Sequence, residues 1–235
     1  MPHPPIRALL FDKDGTLTDF RATWEGWLAP AVRALAQASG APVEALARVV
    51  GVDPESGRIA PHGAFVTATN AEMAGHLARA TGWDAGRVGA WWGARAAGVE
   101  QVPVLDAGPF LAALRARGLR LGVLTNAGRD EAEAHLARLG AAPHLDALVA
   151  CDDGHGAKPE PGGARAFARM LGLDPASVVL VGDGMTDMEA ARAAGMRAVA
   201  VTTGTLDRAA LAPHAEAVLD GIGALPGWLD AQGVG

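Results

Sequence analysis

Two carboxylates separated by one residue follow the first apolar run of the chain, since Asp12 and Asp14 come directly after residues 6–11. An apolar run that ends at acidic, glycine and hydroxyl residues is typical of a buried parallel strand opening into a loop at the ligand-binding edge of an α/β sheet. In extended backbone the two carboxylates face the same way, and Lys13 points to the other side. Because such close acids repel each other, the spacing predicts a cation between them, and a hard ion such as Mg²⁺ suits oxygen ligands.

Three further polar segments lie where the hydrophobic pattern predicts the end of a strand or the start of a helix. They are Thr125-Asn126, Lys158-Pro159 and Gly182-Asp183-Gly184-Met185-Thr186-Asp187. Together with Asp-Lys-Asp-Gly-Thr-Leu at residues 12–17, these segments resemble in type and order the motifs of the haloacid dehalogenase-like superfamily. The resemblance covers roughly residues 5–20 and 103–203, and the chain looks similar to the phosphoglycolate phosphatases of that superfamily.

The resemblance implies a fold, a reaction and a cofactor. The fold would be an α/β core with a doubly wound, Rossmann-like parallel sheet and an inserted all-helical cap domain. The reaction would be hydrolysis of a phosphate monoester, with Asp12 as the nucleophile that forms an aspartyl-phosphate and Asp14 as the general acid and base. The cofactor would be Mg²⁺, held by Asp12, by the backbone carbonyl of Asp14 and by Asp183.

Other residues of these segments would bind the transferring phosphoryl group, whose negative charge is spread over three oxygens. By resemblance these are Thr125, Asn126 and Lys158, and Asp187 would hold a metal-bound water or orient Lys158. Each also has a structural interpretation. Thr125 and Asn126 could form only a turn and helix cap, and Asp187 could be an acid at a helix start.

Three charged residues have roles that the sequence leaves open. Lys13 and Lys158 are the two lysines of the chain, against 18 arginines. Lys13 could neutralise the acidic loop, contact substrate or lie on the surface. Arg58, in a loop rich in glycine and proline, and His155, just before Lys158, are candidate substrate contacts, with solvated surface positions as the alternative.

The hydrophobic pattern alternates strands and helices except in one region. Strands are predicted at residues 6–11, 119–124, 147–151, 178–181 and 197–202. Helical segments between them imply right-handed crossovers and one parallel sheet. The region between the first two strands is helical throughout, with a break or kink expected at Pro30. The pattern therefore predicts a core of residues 1–20 and 103–235 and a helical cap of residues 21–102. Residues 221–227, near the carboxyl end, are predicted to form a loop.

Composition excludes several classes of function. The chain has 235 residues, a net charge of −6 and one cysteine. The negative charge argues against nucleic-acid binding, and no apolar run approaches the roughly 20 residues of a membrane span. Without a signal-peptide pattern, a cytoplasmic location is expected. The expected partner is a small phosphorylated metabolite, and the chain is expected to be a monomer or homodimer.

The preferred interpretation is a Mg²⁺-dependent phosphatase, and two alternatives stay open. The first is a sugar-phosphate mutase of the same fold, which would pass the phosphate to a second sugar hydroxyl. The second is a module that accepts phosphate or binds a ligand without turnover. The absence of lysine from residues 21–102 argues against a phosphonate hydrolase with a cap-derived Schiff-base lysine. The presence of Asp14 and Asp183 argues against the metal-free dehalogenases.

Overall fold

A computed structural model describes residues 4–234, and they divide into two compact units. One unit contains the chain up to Asp19 and from Gln101 onward, and the other is Phe20–Glu100. We call them the core unit and the helical unit. Within the described part of the chain, no helix combines the length and the apolar character needed to cross a bilayer.

The core unit is built on one six-stranded sheet in the order β3-β2-β1-β4-β5-β6, with every neighbouring pair parallel. The strands are β1 Ala8–Phe11, β2 Arg120–Leu124, β3 Ala147–Val149, β4 Val178–Gly182, β5 Arg197–Val201 and β6 Ala217–Leu219. The order reverses direction between β1 and β4, which is the topological switch point where open α/β sheets bind ligands. The predicted doubly wound α/β fold is confirmed.

Helices cover both faces of this sheet. They are α6 Ala107–Ala116, α7 Arg129–Arg138, α8 Gly162–Leu171, α9 Met185–Ala194, α10 Arg208–Leu211 and α11 Leu225–Ala231, numbered after the five helices of the other unit. Successive residues of β1 alternate between two apolar clusters. Leu9 and Phe11 pack in the cluster that includes residues of α6, α7 and α11, and Ala8 and Leu10 pack in the cluster with α8, α9 and α10. Burial on both faces explains why the strands are continuous apolar runs.

The helical unit has its own apolar core. Its helices are α1 Phe20–Ser39, α2 Val43–Val50, α3 Ala64–Thr67, α4 Asn70–Thr81 and α5 Ala85–Ala96. The Thr69 hydroxyl and the Glu72 carboxylate form a capping box that fixes the start of α4. Partly buried Trp27 packs edge to face on buried Trp24 and Trp92, with ring centroids 5.4 and 5.3 Å away. These aromatic rings therefore serve packing in this unit.

Helix α1 continues through Pro30 without the predicted break, because buried Leu28 and Val32 on either side anchor its apolar face in the core of the helical unit. A kink at Pro30 stays a prediction. One other local prediction was wrong. Residues 221–227 do not form a loop. A 3₁₀ turn is followed by α11, which has Pro226 in its first turn and buries Leu229 against the sheet.

Candidate active site

The carboxyl ends of three adjacent strands bring the predicted motif residues to one edge of the sheet. Asp12 follows β1, Thr125 follows β2, and Asp183 follows β4. Register explains the proximity, because Phe11 is paired with Val123 on one side and with Val181 on the other. The backbone N–H of Asp12 also donates to the Val181 carbonyl at 2.8 Å, which extends the ladder to the first acid.

Lys158 joins two of the acids. Its Nζ donates to Asp12 Oδ1 at 2.6 Å and to Asp187 Oδ1 at 2.7 Å, and all three residues are buried. Asp187 lies in the first turn of α9, where its other oxygen accepts the Gly184 backbone N–H at 3.0 Å. Asp187 is therefore held at both oxygens, and its contact with Lys158 is the one expected of a residue that orients this ammonium.

Asp183 completes a cluster of three buried acids with Asp12 and Asp187, whose ligand oxygens lie within 4.8 Å of one another. The Thr16 hydroxyl donates to Asp183 Oδ1 at 3.4 Å. Two glycines leave room for this carboxylate, because a Cβ atom would lie 2.5 Å from Asp183 at Gly15 and 1.7 Å from it at Gly204. Gly204 follows β5 and had no signal in the sequence other than its place after a strand.

Burial and mutual repulsion perturb the acids of this cluster. Burial raises the pKa of Asp12 to about 6, although the Lys158 charge opposes the shift. Burial and the charges of Asp12 and Asp187 raise the pKa of Asp183 well above its usual value. Burial alone would lower the pKa of Lys158, but attraction to Asp12 and Asp187 outweighs it and raises that pKa. The single ammonium of Lys158 therefore does not balance the negative charge of the three acids.

The donor set fits a divalent cation. Three carboxylates and one ammonium leave a deficit of two positive charges when all are ionised, which one Mg²⁺ would supply. Carboxylate and carbonyl oxygens are the ligands that Mg²⁺ prefers. The side-chain acids brought together are Asp12, Asp183 and Asp187. The predicted ligand set of Asp12, Asp183 and the backbone carbonyl of Asp14 stays a prediction.

The Thr125-Asn126 segment lies beside Lys158. The side chain of Asn126 forms two hydrogen bonds with the Lys158 backbone. It donates to the Lys158 carbonyl at 2.9 Å and accepts the Lys158 N–H at 2.9 Å. Buried Thr125 accepts the backbone N–H of Ala127 at 3.1 Å. The Asn126 side chain thus positions the Lys158 loop, and contact of Asn126 with phosphate stays a prediction.

Asp14 and Lys13 form a second charged group. The Lys13 ammonium lies 2.6 Å from Asp14 Oδ2 and 3.0 Å from Nδ1 of His135, which is also buried. Lys13 is 0% exposed, so the surface alternative for this residue was wrong. His135 carried no signal in the sequence, because its partner is 122 positions away.

The two candidate substrate contacts lie in different units. His155 is half-buried in the loop between β3 and α8, where its charge helps to lower the pKa of Asp153, after the larger effect of a hydrogen bond from Arg129. Arg58 is exposed in the helical unit, in a turn where its carbonyl accepts the Asp53 N–H at 3.0 Å. Contact of either residue with substrate stays a prediction.

The pH dependence of stability should report on this cluster. In chelator, we expect the unfolding temperature to fall as the pH rises from about 5 to about 7.5. A carboxyl whose pKa rises on folding stabilises the native state fully below its unfolded value, and this contribution is lost as the pH rises through about 6, the folded value of Asp12. Thermal unfolding across this range measures the effect, and Asp12→Asn should flatten the profile.

Mg²⁺ should reverse that loss. At about pH 7.5 the ion should raise the unfolding temperature strongly, and at about pH 5 only weakly, because protons compete for the same carboxylates. An equal rise at both pH values, or an equal rise in Asp183→Asn, would show that the ion acts elsewhere.

The doubly wound sheet and the buried acidic cluster at its switch point define an α/β protein with a site suited to an anion and a divalent cation. A family model described as haloacid dehalogenase-like hydrolase matches residues 6–195, and the chain belongs to this family. The predicted superfamily is thereby confirmed.

Relatives and solved structures agree with this membership. Phosphoglycolate phosphatase (plasmid) of Cupriavidus necator is 41% identical over 128 residues, or 54% of each chain. Phosphoglycolate phosphatase of Rhodospirillum rubrum is 38% identical over 120 residues, or 51% of this chain and 50% of the relative. The chain thus matches about half the length of these curated relatives. The structure of CbbY from Rhodobacter sphaeroides in complex with phosphate superposes with a TM-score of 0.69, at 24% identity over 94% of this chain and 96% of that one, which shows a common fold.

Proposed function

We propose that this chain is a Mg²⁺-dependent phosphatase that hydrolyses a small phosphate monoester through an aspartyl-phosphate on Asp12. The observation that carries the proposal is the pairing of Asp12 with Lys158 inside a cluster of buried acids at the switch point of the sheet. The pairing keeps a carboxylate and a cation side by side, as attack on a phosphate requires. Similarity to phosphoglycolate phosphatases supports the same reaction.

The reaction would proceed in two balanced steps. First, a carboxylate oxygen of Asp12 forms a bond to phosphorus while the bond from phosphorus to the ester oxygen breaks. The departing electron pair stays on that oxygen, which takes a proton from the Asp14 carboxyl to give the free alcohol. Second, a water oxygen bonds to phosphorus and gives a proton to Asp14. The bond to Asp12 then breaks, which releases inorganic phosphate and restores the carboxylate.

Positive charge must face the phosphoryl oxygens throughout both steps. Lys158 supplies one fixed ammonium. Asp187 orients it through a hydrogen bond, and the Asn126 side chain holds the Lys158 backbone through two more. Asp12, Asp183 and the backbone carbonyl of Asp14 would hold Mg²⁺, which when bound supplies Lewis-acid charge neutralisation. The Thr125 hydroxyl, one residue beyond β2, is the proposed neutral contact to phosphate.

The proposed substrate is phosphoglycolate or another small phosphorylated metabolite. The first possibility comes from the names of the relatives, which match about half of this chain. A guanidinium such as that of Arg58 would pair well with a carboxylate on the substrate. Arg58 is therefore the residue of the helical unit to vary first once a substrate is found.

A panel of phosphate monoesters tests the proposal. Phosphate release from 2-phosphoglycolate, sugar phosphates and nucleotides should require Mg²⁺ and stop in chelator. One ester should be preferred by about 10-fold or more, because specificity arises from contacts made by the organic part of the substrate. Phosphorus NMR on the same reactions distinguishes hydrolysis from transfer.

Two results would contradict simple hydrolysis. Phosphate that stays on carbon and moves between hydroxyls of a sugar would identify a mutase. Folded protein that becomes phosphorylated once but releases no phosphate from any ester would identify a module without turnover.

A further inference from the structure

The strongest unexplained feature of the core unit is a buried lysine next to the second acid. Lys13 is fully buried although the ammonium group is costly to remove from water, and lysine is almost never buried without a charged or polar partner. Its Nζ meets Asp14 Oδ2 at 2.6 Å. The Asp14 side chain keeps 21% of its surface exposed, so the pair has one buried end and one end open to solvent.

His135 fixes the buried end of this pair. A lysine ammonium has only hydrogens to donate, so Nδ1 of His135, at 3.0 Å, must accept, and the imidazole is neutral with its hydrogen on Nε2. The amide of Gln101 lies 3.4 Å from that Nε2, and its oxygen, after rotation of the amide by 180°, suits the N–H. Helix α7 and the chain at Gln101 thus hold the ammonium in place.

We propose that Lys13, held by His135, is a positioning residue that orients the Asp14 carboxyl group for proton transfer. This inference rests on the proposed function, in which Asp14 protonates the leaving oxygen. The ammonium engages Oδ2 at 2.6 Å, which restricts rotation of the carboxyl group and holds it in one orientation. Lys13 does not touch the substrate and acts only through Asp14.

Each of the two lysines of the chain therefore contacts one of the two proposed catalytic acids, Asp12 and Asp14. Lys158 contacts Asp12 and Asp187, and Lys13 contacts Asp14. Lys13→Met removes one partner of this pair and should cost some stability, but less than Lys158→Met, because the Asp14 carboxylate left behind keeps 21% of its surface exposed and water can solvate it. A positioning role therefore predicts a catalytic loss that is out of proportion to any loss of stability.

The dependence on the leaving group separates positioning from a merely structural role. An alkyl phosphate needs a proton on its departing oxygen, whereas 4-nitrophenyl phosphate expels a stable anion without one. The parameter to compare is kcat/KM, because it includes only the steps up to departure of the leaving group. We expect Lys13→Met to lower kcat/KM by about 10²-fold for the alkyl ester that wild type prefers and only a few-fold for the nitrophenyl ester.

Variants of His135 provide an independent test if Lys13→Met does not fold. His135→Gln keeps an acceptor for the ammonium and should retain most of the activity on the alkyl ester. His135→Leu removes the acceptor and should reproduce the selective loss. Equal losses on both esters in Lys13→Met and His135→Leu, or no loss in either, would overturn the proposal.

Asp14→Asn distinguishes this inference from the function on which it rests. If Asp14→Asn shows the selective loss on the alkyl ester and the Lys13 and His135 variants do not, the positioning role fails and the proposed function stands. If Asp14→Asn itself shows no dependence on the leaving group, the acid role of Asp14 is wrong and both fail together.

Discussion

Asp12→Asn should lower phosphate release by at least about 10³-fold, because an amide of nearly the same size cannot attack phosphorus as a carboxylate does. The loss should appear in kcat for every ester, since the nucleophile is needed whatever the leaving group. Acid quenching of wild type during turnover should trap one covalent phosphate, visible as a mass increase. The same treatment of Asp12→Asn should give no increase.

Stability should move in the opposite direction. Because burial raises the pKa of Asp12 to about 6, ionising this group costs folding free energy at neutral pH, and a neutral amide avoids that cost. In chelator, Asp12→Asn should therefore unfold at the same or a higher temperature than wild type. Loss of activity without loss of stability excludes general damage to the fold.

Asp106→Asn is the matched control. Asp106 is exposed before α6 in the same unit, and its side chain makes no capping hydrogen bond. The same chemical change there should leave both activity and stability close to wild type. If Asp12→Asn keeps more than about a tenth of the activity, the nucleophile must be another group and the proposed reaction is wrong.

The sequence predicted the acidic edge of the sheet well, for a physical reason. Asp12 and Asp183 each follow a continuous apolar run, and such runs form the central strands of a parallel sheet, whose carboxyl ends meet at one edge. The position of each acid then follows from local pattern alone. Lys158 was found differently, through its resemblance to a family motif and its rarity among basic residues.

What the sequence did not predict depends on contacts between distant residues. Alternation predicted that Lys13 points away from both acids, but its ammonium contacts Asp14. Nothing in the local pattern says whether the Lys13 side chain lies in water or in protein. The Lys13 ammonium lies in protein because it contacts His135, on a helix 122 residues away. Gly204 is similar, because the need for a glycine arises only when the loop after β5 meets the Asp183 carboxylate. The low helix propensity of proline was likewise overridden at Pro30, because burial of neighbouring residues maintains the helix there.

Lys158→Met should produce the largest loss of stability among these variants. Lys158 is the ammonium in contact with Asp12 and Asp187, and all three groups are buried. Removing one partner of a buried ion pair costs about 3–5 kcal/mol, because the remaining charge is left without compensation. In chelator at neutral pH, chemical denaturation should show a loss of this size, together with a loss of activity of about 10²-fold or more.

Two features of the loss would identify its electrostatic origin. It should shrink as the pH falls below about 6, because the Asp12 carboxylate, whose pKa lies near that value, then becomes neutral. It should also shrink in Lys158→Met combined with Asp187→Asn, which removes one of the stranded charges. A double-mutant cycle over these variants measures the coupling between the two residues. If the loss were the same at every pH and unchanged in the double variant, packing of the lysine stem would explain it, and the balance of charge proposed for this site would be wrong.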